Sequence, residues 1–360
     1  MRDERDLPWL AGPLAALRDA ERGHALILHG GVGSGRLELA LRLAQTWLCE
    51  QAPRPCGACP SCHLVIAHTH PDLKVLLPET WQQRLHWHGD DGDSGAGSGD
   101  GEARSSSKKP SKDIKVDAVR QAIDWAHTSS GRGRGKVLLL FPADAMNQVA
   151  ANALLKTLEE PALGMRLLLC VGDPERLLPT LRSRCQRFAL HPPSAAEAER
   201  WLASQGVAGA AQLLQAAGGE PLAAQELAAA GIDASLWASL PALVAAGDAR
   251  LLAGWPVPQA VRVLQQICHD AMARAAGGSP RYFPAASLPV PAAWPALLAW
   301  SRSLQEVARH DEHPWSAGLL IESLVGQGQR ALLASARSAP EDASGARSGT
   351  GLAARPRSSR

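Results

Sequence analysis

Hydrophobic and polar positions change period several times along the chain, and each change marks a different kind of element. Residues 8–20 read as a helix, and His24–His29 (HALILH) is a short apolar run that predicts a buried strand. The glycine-rich GGVGSG follows, and then RLELALRLAQTWLC (36–49) spaces leucine and alanine three to four apart, as on a helix. DLKVLLP (72–78) predicts a second short strand. IKVDAVRQAIDWAHTSS, starting at Ile114, predicts an amphipathic helix with Val116, Val119, Ile123 and Ala126 or His127 along one face. After the turn GRGRGK, KVLLLF (136–141) continues from its lysine as an unbroken apolar run, as strands in the middle of a parallel sheet do. NQVAANALLKTLEEP predicts a helix opened by an Asn cap at Asn147 and stopped by Pro161, and MRLLLCVG and QRFAL complete the strands. Strand and helix alternate up to about residue 190, which predicts a doubly wound parallel α/β sheet.

Beyond His191 the pattern is helical throughout. SAAEAERWLASQG, AAQLLQAAGG and PLAAQELAAAG are short helices separated by glycine and proline, and three longer helical patterns run from about Pro256 to Leu333. The expected organisation is an α/β domain over 1–190, a small helical lid over 191–250 and an all-α domain over 251–334. Two stretches offer almost nothing to bury: a Gly/Ser/Asp-rich insertion at about 88–112 and the polar tail 335–360. Both are expected to be disordered.

A chain of 360 residues exceeds what one core usually organises, and two or three domains follow. Its apolar residues are mostly alanine and leucine, with only 4% aromatic, which favours helix packing around one sheet over an antiparallel sandwich. The net charge of +2 is too small to indicate nucleic-acid binding by composition. No apolar run has signal-peptide or membrane-span length, so a cytoplasmic protein is expected.

Reducing surroundings make metal ligation the better reading of clustered cysteines. Four of the seven cysteines stand together in CEQAPRPCGACPSC: Cys49, Cys56, Cys59 and Cys62. Four thiolates with Cys-x-x-Cys spacing suit a tetrahedral zinc ion, and four sulfurs leave no open position, so the site would be structural. Reduced, unliganded surface thiols or transient disulfides are the bland alternative, and His63, His68 and His70 lie close enough in sequence to replace a cysteine. Cys170, Cys185 and Cys268 are isolated and read as packing residues.

The loop GGVGSGRL has the frame of a phosphate-binding loop, with Gly30 and Gly35 at its ends and Gly31 and Gly33 between. Such loops normally continue with lysine, which reaches the terminal phosphates, and with a hydroxyl that holds magnesium. Here those places carry Arg36 and Leu37, and leucine cannot ligate a metal. The usual acidic pair at the end of a later strand is missing too, because KVLLLF runs into Phe141 and Pro142. Two losses in one chemistry point to an architectural loop without ATP hydrolysis. A loop in which Arg36 retains weak nucleotide binding is the alternative.

NALLKTLEEP (152–161), followed after one strand by DPERLLPTLRSRC (173–185), resembles the bacterial clamp-loader branch of the AAA+ ATPases, which serves DNA polymerase III. The four-cysteine insert after the first helix belongs to that branch as well. The resemblance covers about residues 5–335 and implies an AAA+ domain of P-loop NTPase type, a helical lid and a helical collar. It also implies partners: ATP-binding motor subunits (gamma/tau) and a delta subunit in a ring that places a sliding clamp on primed DNA. Degenerate phosphate and acidic motifs beside an intact Ser-Arg-Cys resemble the ring's rigid stator, which is no enzyme on its own and has no functional ATP site. Its chemistry is lent through the arginine of that motif, here Arg184, offered in trans to a neighbour's nucleotide. A guanidinium placed there offsets charge developing on the γ-phosphate.

Taken alone, Arg184 reads as a solvated surface arginine, and Lys156, Glu159 and Glu160 as a solvated helix face. Two other readings remain: a motor-type AAA+ ATPase that uses Arg36 in place of lysine, and a zinc-ribbon DNA-binding regulator. The second lacks basic or aromatic clusters around its cysteines. The insertion and the tail fall outside the family pattern, and HPWSAGLLIESLV carries the resemblance only weakly.

Overall fold

Five strands, β1 Ala25–Gly30, β2 Leu73–Leu76, β3 Lys136–Leu140, β4 Met165–Val171 and β5 Gln186–Leu190, form one sheet in the order β2-β3-β4-β1-β5. Every neighbouring pair is parallel. This is a computed structural model, and it describes residues 7–19, 23–31, 33–87, 110–289, 293–309 and 316–333. The sequence-based expectation of disorder for about 88–112 falls largely, and that for 335–360 wholly, outside the described residues.

The largely apolar strands β1, β3 and β4 are explained by burial on both faces. One face of the sheet (Leu26, Leu28, Leu139, Leu168) packs with α1 (Ala11–Asp19) and α2 (Arg36–Leu48). The other (Ile27, Leu138, Leu140, Leu167, Leu169) packs with α5 (Val116–Ala126) and α6 (Gln148–Glu159). Alternate residues of a strand point to opposite faces, so a strand covered by helices on both sides must be apolar at every position. The Asn147 side chain accepts a hydrogen bond from the Ala150 amide, which caps α6 as expected.

Short helices that periodicity did not reveal fill the connections: α3 (Pro60–Ile66), α4 (Glu79–Leu85) and α7 (Pro179–Arg182). With four to seven residues each, they carry too few turns for an apolar stripe to register.

Three helices follow the sheet, α8 (Ala195–Ser204), α9 (Ala210–Ala216) and α10 (Pro221–Ala229). Their apolar residues Trp201, Leu202, Leu213 and Leu222 join the core on the α1–α2 side, where the Trp201 ring meets Trp9 edge-on at 5.2 Å. The contact pattern divides the chain into Met1–Ala234 and Ser235–Arg360, so these helices belong with the sheet. The boundaries read from the sequence lay at 190/191 and 250/251.

The second unit is helical. It holds most of α11 (Ala234–Ala246), with α12 (Arg250–Ala253), α13 (Val257–Ala275), α14 (Trp294–Arg309) and α15 (Ala317–Leu333). α13, α14 and α15 pack on one another, and the buried Trp300 of α14 donates its indole N–H to Leu324 O of α15 at 3.1 Å. A β-carbon on Gly328 would lie 2.6 Å from the Trp300 ring, so the indole reaches the α15 backbone only because that residue is glycine. Among the described residues no single helix is long and apolar enough to cross a membrane.

Candidate functional site

In a parallel sheet with helices on both faces, ligands meet the carboxyl ends of the strands. Here that edge carries the glycine loop after β1, Phe141–Pro142 after β3 and Gly172–Asp173 after β4. The loop is tightly anchored. The Ser34 hydroxyl donates to Gly31 O at 2.8 Å, the Trp9 indole donates to Ser34 O at 2.9 Å, and Gly35 adopts φ 91°, which favours glycine.

Gly30, first in the loop's frame, has a packing role that sequence reading did not assign. A β-carbon there would run into the Leu190 carbonyl of β5, which pairs with Gly30.

Arg36 opens α2 with its side chain only 4% exposed, and its Nε and Nη1 have no hydrogen-bond partner among the described residues. Burial lowers its pKa, while Cys170, Asp144 and Glu220 favour its charge. It lines a cavity of about 60 Å³ with Gly33, Leu37, Trp81, Phe141 and Leu222. Leu37 and Phe141 are buried and apolar, and Phe141 meets Trp81 edge-on at 4.8 Å. The nearest acid after β3, Asp144, is paired with Arg176 at 2.8 Å. Among the described residues no acidic cluster suited to a metal ion lies at this edge. His29, at the end of β1, is pulled to lower pKa by burial and then by Arg187 and His191.

One group from outside the motif enters the loop: the Gly33 amide donates to Glu220 Oε2 at 2.8 Å. Glu220 is the residue before α10, and nothing in GGEPLAAQEL marked it.

Arg184 lies between α7 and β5, at the opposite edge of the sheet. From Gln186 to Leu190 the strand rises roughly 13 Å, so Arg184 is held well away from its own chain's loop. Its side chain is exposed, and its Nη2 and Nε reach Glu159 Oε1 at 2.5 and 2.7 Å. Nη1 donates to Thr180 O at 2.9 Å. Glu159, set aside in the sequence as a solvated helix residue, is thus its orienting partner. Cys185 beside it is half-buried, and that burial pushes its thiol up to about 11.

Cys49, Cys56, Cys59 and Cys62 converge, with all sulfurs within 4.8 Å of one another. Two of the separations, Cys49–Cys59 and Cys56–Cys62, are 3.9 Å. A tetrahedral ion about 2.3 Å from each sulfur requires separations of about 3.8 Å. The donor set therefore fits a metal such as zinc. Backbone amides of Cys56, Cys59 and Cys62 point at the sulfurs of Cys49, Cys56 and Cys59 at 3.2–3.4 Å, an arrangement that favours thiolates.

The three histidines stay out of the cluster. His68 stacks on Trp87, while His70 meets Ser61 Oγ at 3.1 Å and accepts from the Asp72 amide at 3.0 Å. Ser61 also donates to Glu50 at 2.6 Å, and Arg132 bonds both. The cysteine module is thus tied to the turn before β3, where buried Asp72 accepts from Ser130 Oγ and from the Gly131 and Arg132 amides at 2.7–2.9 Å.

The chain is 38% identical over 219 residues to the DNA polymerase III subunit delta′ of Pseudomonas aeruginosa, covering 59% of this chain and 58% of that protein. It is 35% identical over 204 residues to the Escherichia coli delta′ subunit, covering 55% and 52%. Against the DNA polymerase III subunit tau of Escherichia coli, identity is 30% over 169 residues, or 46% of this chain and 21% of that one. The match thus spans little more than half the length of these delta′ relatives. A family model described as DNA polymerase III, delta subunit, matches residues 15–194, half of the chain, and with the delta′ relatives it shows that the protein belongs to that family of clamp-loader subunits.

Proposed function

We infer that this protein acts as the stator of a clamp loader, bracing an ATP-driven ring that places a sliding clamp on primed DNA. In this reading it hydrolyses no ATP itself and presents Arg184 to nucleotide held by a neighbouring motor subunit. The carrying observation is the placement of Arg184: exposed, oriented by Glu159, and at the opposite edge of the sheet from its own glycine loop. An arginine so placed serves a site across an interface better than one in its own chain, and its charge offsets that developing on a transferring phosphoryl group.

The loop supports the same reading. Leu37 offers no ligand to magnesium, Phe141 stands where an acid is needed, and Arg36 is buried. The four cysteines hold a structural zinc ion that closes the segment between α2 and α3. The helices of the second unit contribute to a collar with the delta and gamma/tau subunits.

The test is reconstitution with tau, delta, clamp and primed DNA, with ATP turnover and clamp loading as readouts. Both should require this chain, and the isolated chain should show no turnover. Hydrolysis by the isolated chain that is lost in G35D would instead make it a motor.

A further inference from the structure

The glycine loop already holds an anion, and it comes from the chain itself. Glu220 Oε2 accepts the Gly33 amide at 2.8 Å. The side chain lies so close that a β-carbon on Gly31 would collide with its carboxylate, and one on Gly33 would come within 2.7 Å of its Cβ. Amides of a glycine loop ahead of a helix amino terminus make a cradle for phosphate oxygens, and a carboxylate offers the same charge sign and acceptor geometry. Beside the cradle, Arg36 is buried with Nε and Nη1 unpartnered among the described residues, and Glu220 is one of the acids that favours its charge.

We propose that Glu220 is an internal phosphate surrogate: it fills the cradle and closes the loop to nucleotide, and its removal uncovers a phosphate-binding site formed by the loop amides and Arg36. Two features make the occupation stable. Glu220 is covalently joined to α10, whose Leu222 is buried in the same core as the loop's helix, so the carboxylate is delivered at high local concentration. Six residues further along, Glu226 pairs with Arg84 of α4 at 2.5 Å. α10 is therefore tied to the loop by the residue before it and to α4 by Glu226 within it, across the small cavity that Arg36 lines. A phosphate arriving at the loop must displace a tethered carboxylate of its own charge sign. The loop of this chain is thus closed by occupation as well as by the loss of metal ligands.

This deepens the reading of the loop as one that holds no magnesium-nucleotide. The experiment is calorimetric titration of the full chain with tripolyphosphate, without divalent metal, for wild type, E220A and E220Q. Circular dichroism confirms the fold of each. E220A should bind roughly tenfold or more tightly than wild type, and E220Q should fall between them, because the neutral amide keeps the shape and loses the charge. A folded E220A that binds as weakly as wild type overturns the proposal, as does a wild-type chain that binds as tightly as E220A. If E220A does not fold, E220Q decides by the same comparison. None of these outcomes bears on Arg184, whose role is read from turnover in the assembled complex, so the two readings fail separately.

Discussion

The guanidinium of Arg184 is held by Glu159, with Nη2 and Nε 2.5 and 2.7 Å from one carboxylate oxygen. The pair joins the end of α6 to the short connection between α7 and β5 and fixes the direction in which the arginine projects. Reconstituted complexes carrying R184A should lose about 100-fold or more of the turnover contributed by the neighbouring site. E159A should lose about threefold to tenfold, because the charge remains while its orientation is lost. The pair is surface-exposed, so neither change should alter stability in urea by more than about 0.5 kcal/mol. Unchanged turnover with R184A would remove Arg184 from the mechanism.

Gly30 should resist substitution for a reason unrelated to phosphate. G30A forces a β-carbon against the Leu190 carbonyl of a paired strand, and backbone there can yield only by parting β1 from β5. Overpacking of this kind costs about 1–3 kcal/mol, readable as a shift of the urea midpoint at constant slope. A G30A chain as stable as wild type would show that the strands separate freely.

The four sulfurs should hold about one zinc ion per purified chain. C59S, or removal of the metal by a chelator, should lower the melting temperature of the first unit, because metal binding to a site absent from the unfolded chain is folding free energy. Metal-free protein that melts as the loaded protein does would exclude a structural role.

Asp72 is 1% exposed and accepts three hydrogen bonds from Ser130, Gly131 and Arg132. D72A strands those donors and releases the turn that Arg132 ties to the cysteine module. A loss of about 2–3 kcal/mol is expected in urea. Hydrogen exchange should rise first at the Gly131 and Arg132 amides, and unaltered protection there would contradict this account.

The strands were readable because their evidence is local. KVLLL and MRLLLCV are apolar at almost every position, which only a strand covered on both faces tolerates, and both lie in the sheet interior. The cysteine spacing was equally direct, since Cys-x-x-Cys steps bring sulfurs together through a short backbone segment. α3, α4 and α7 escaped notice because a helix of four to seven residues completes too few turns to show a period. That α8–α10 share a core with the sheet was not legible, because Trp201 and Leu222 are ordinary helix residues until Trp9 and the core on the α1–α2 side are brought beside them.

Periodicity and spacing were thus enough to reach an α/β domain and a four-sulfur cluster. Each of these is a property of a short stretch of chain. The partners of the two candidate charges were settled by folding alone. Glu159 and Arg184 are 25 residues apart, and Gly33 and Glu220 are 187 apart. A carboxylate's partner depends on where its backbone is carried, and these contacts exist only once α6 has packed beneath the sheet and α8–α10 have closed over its face.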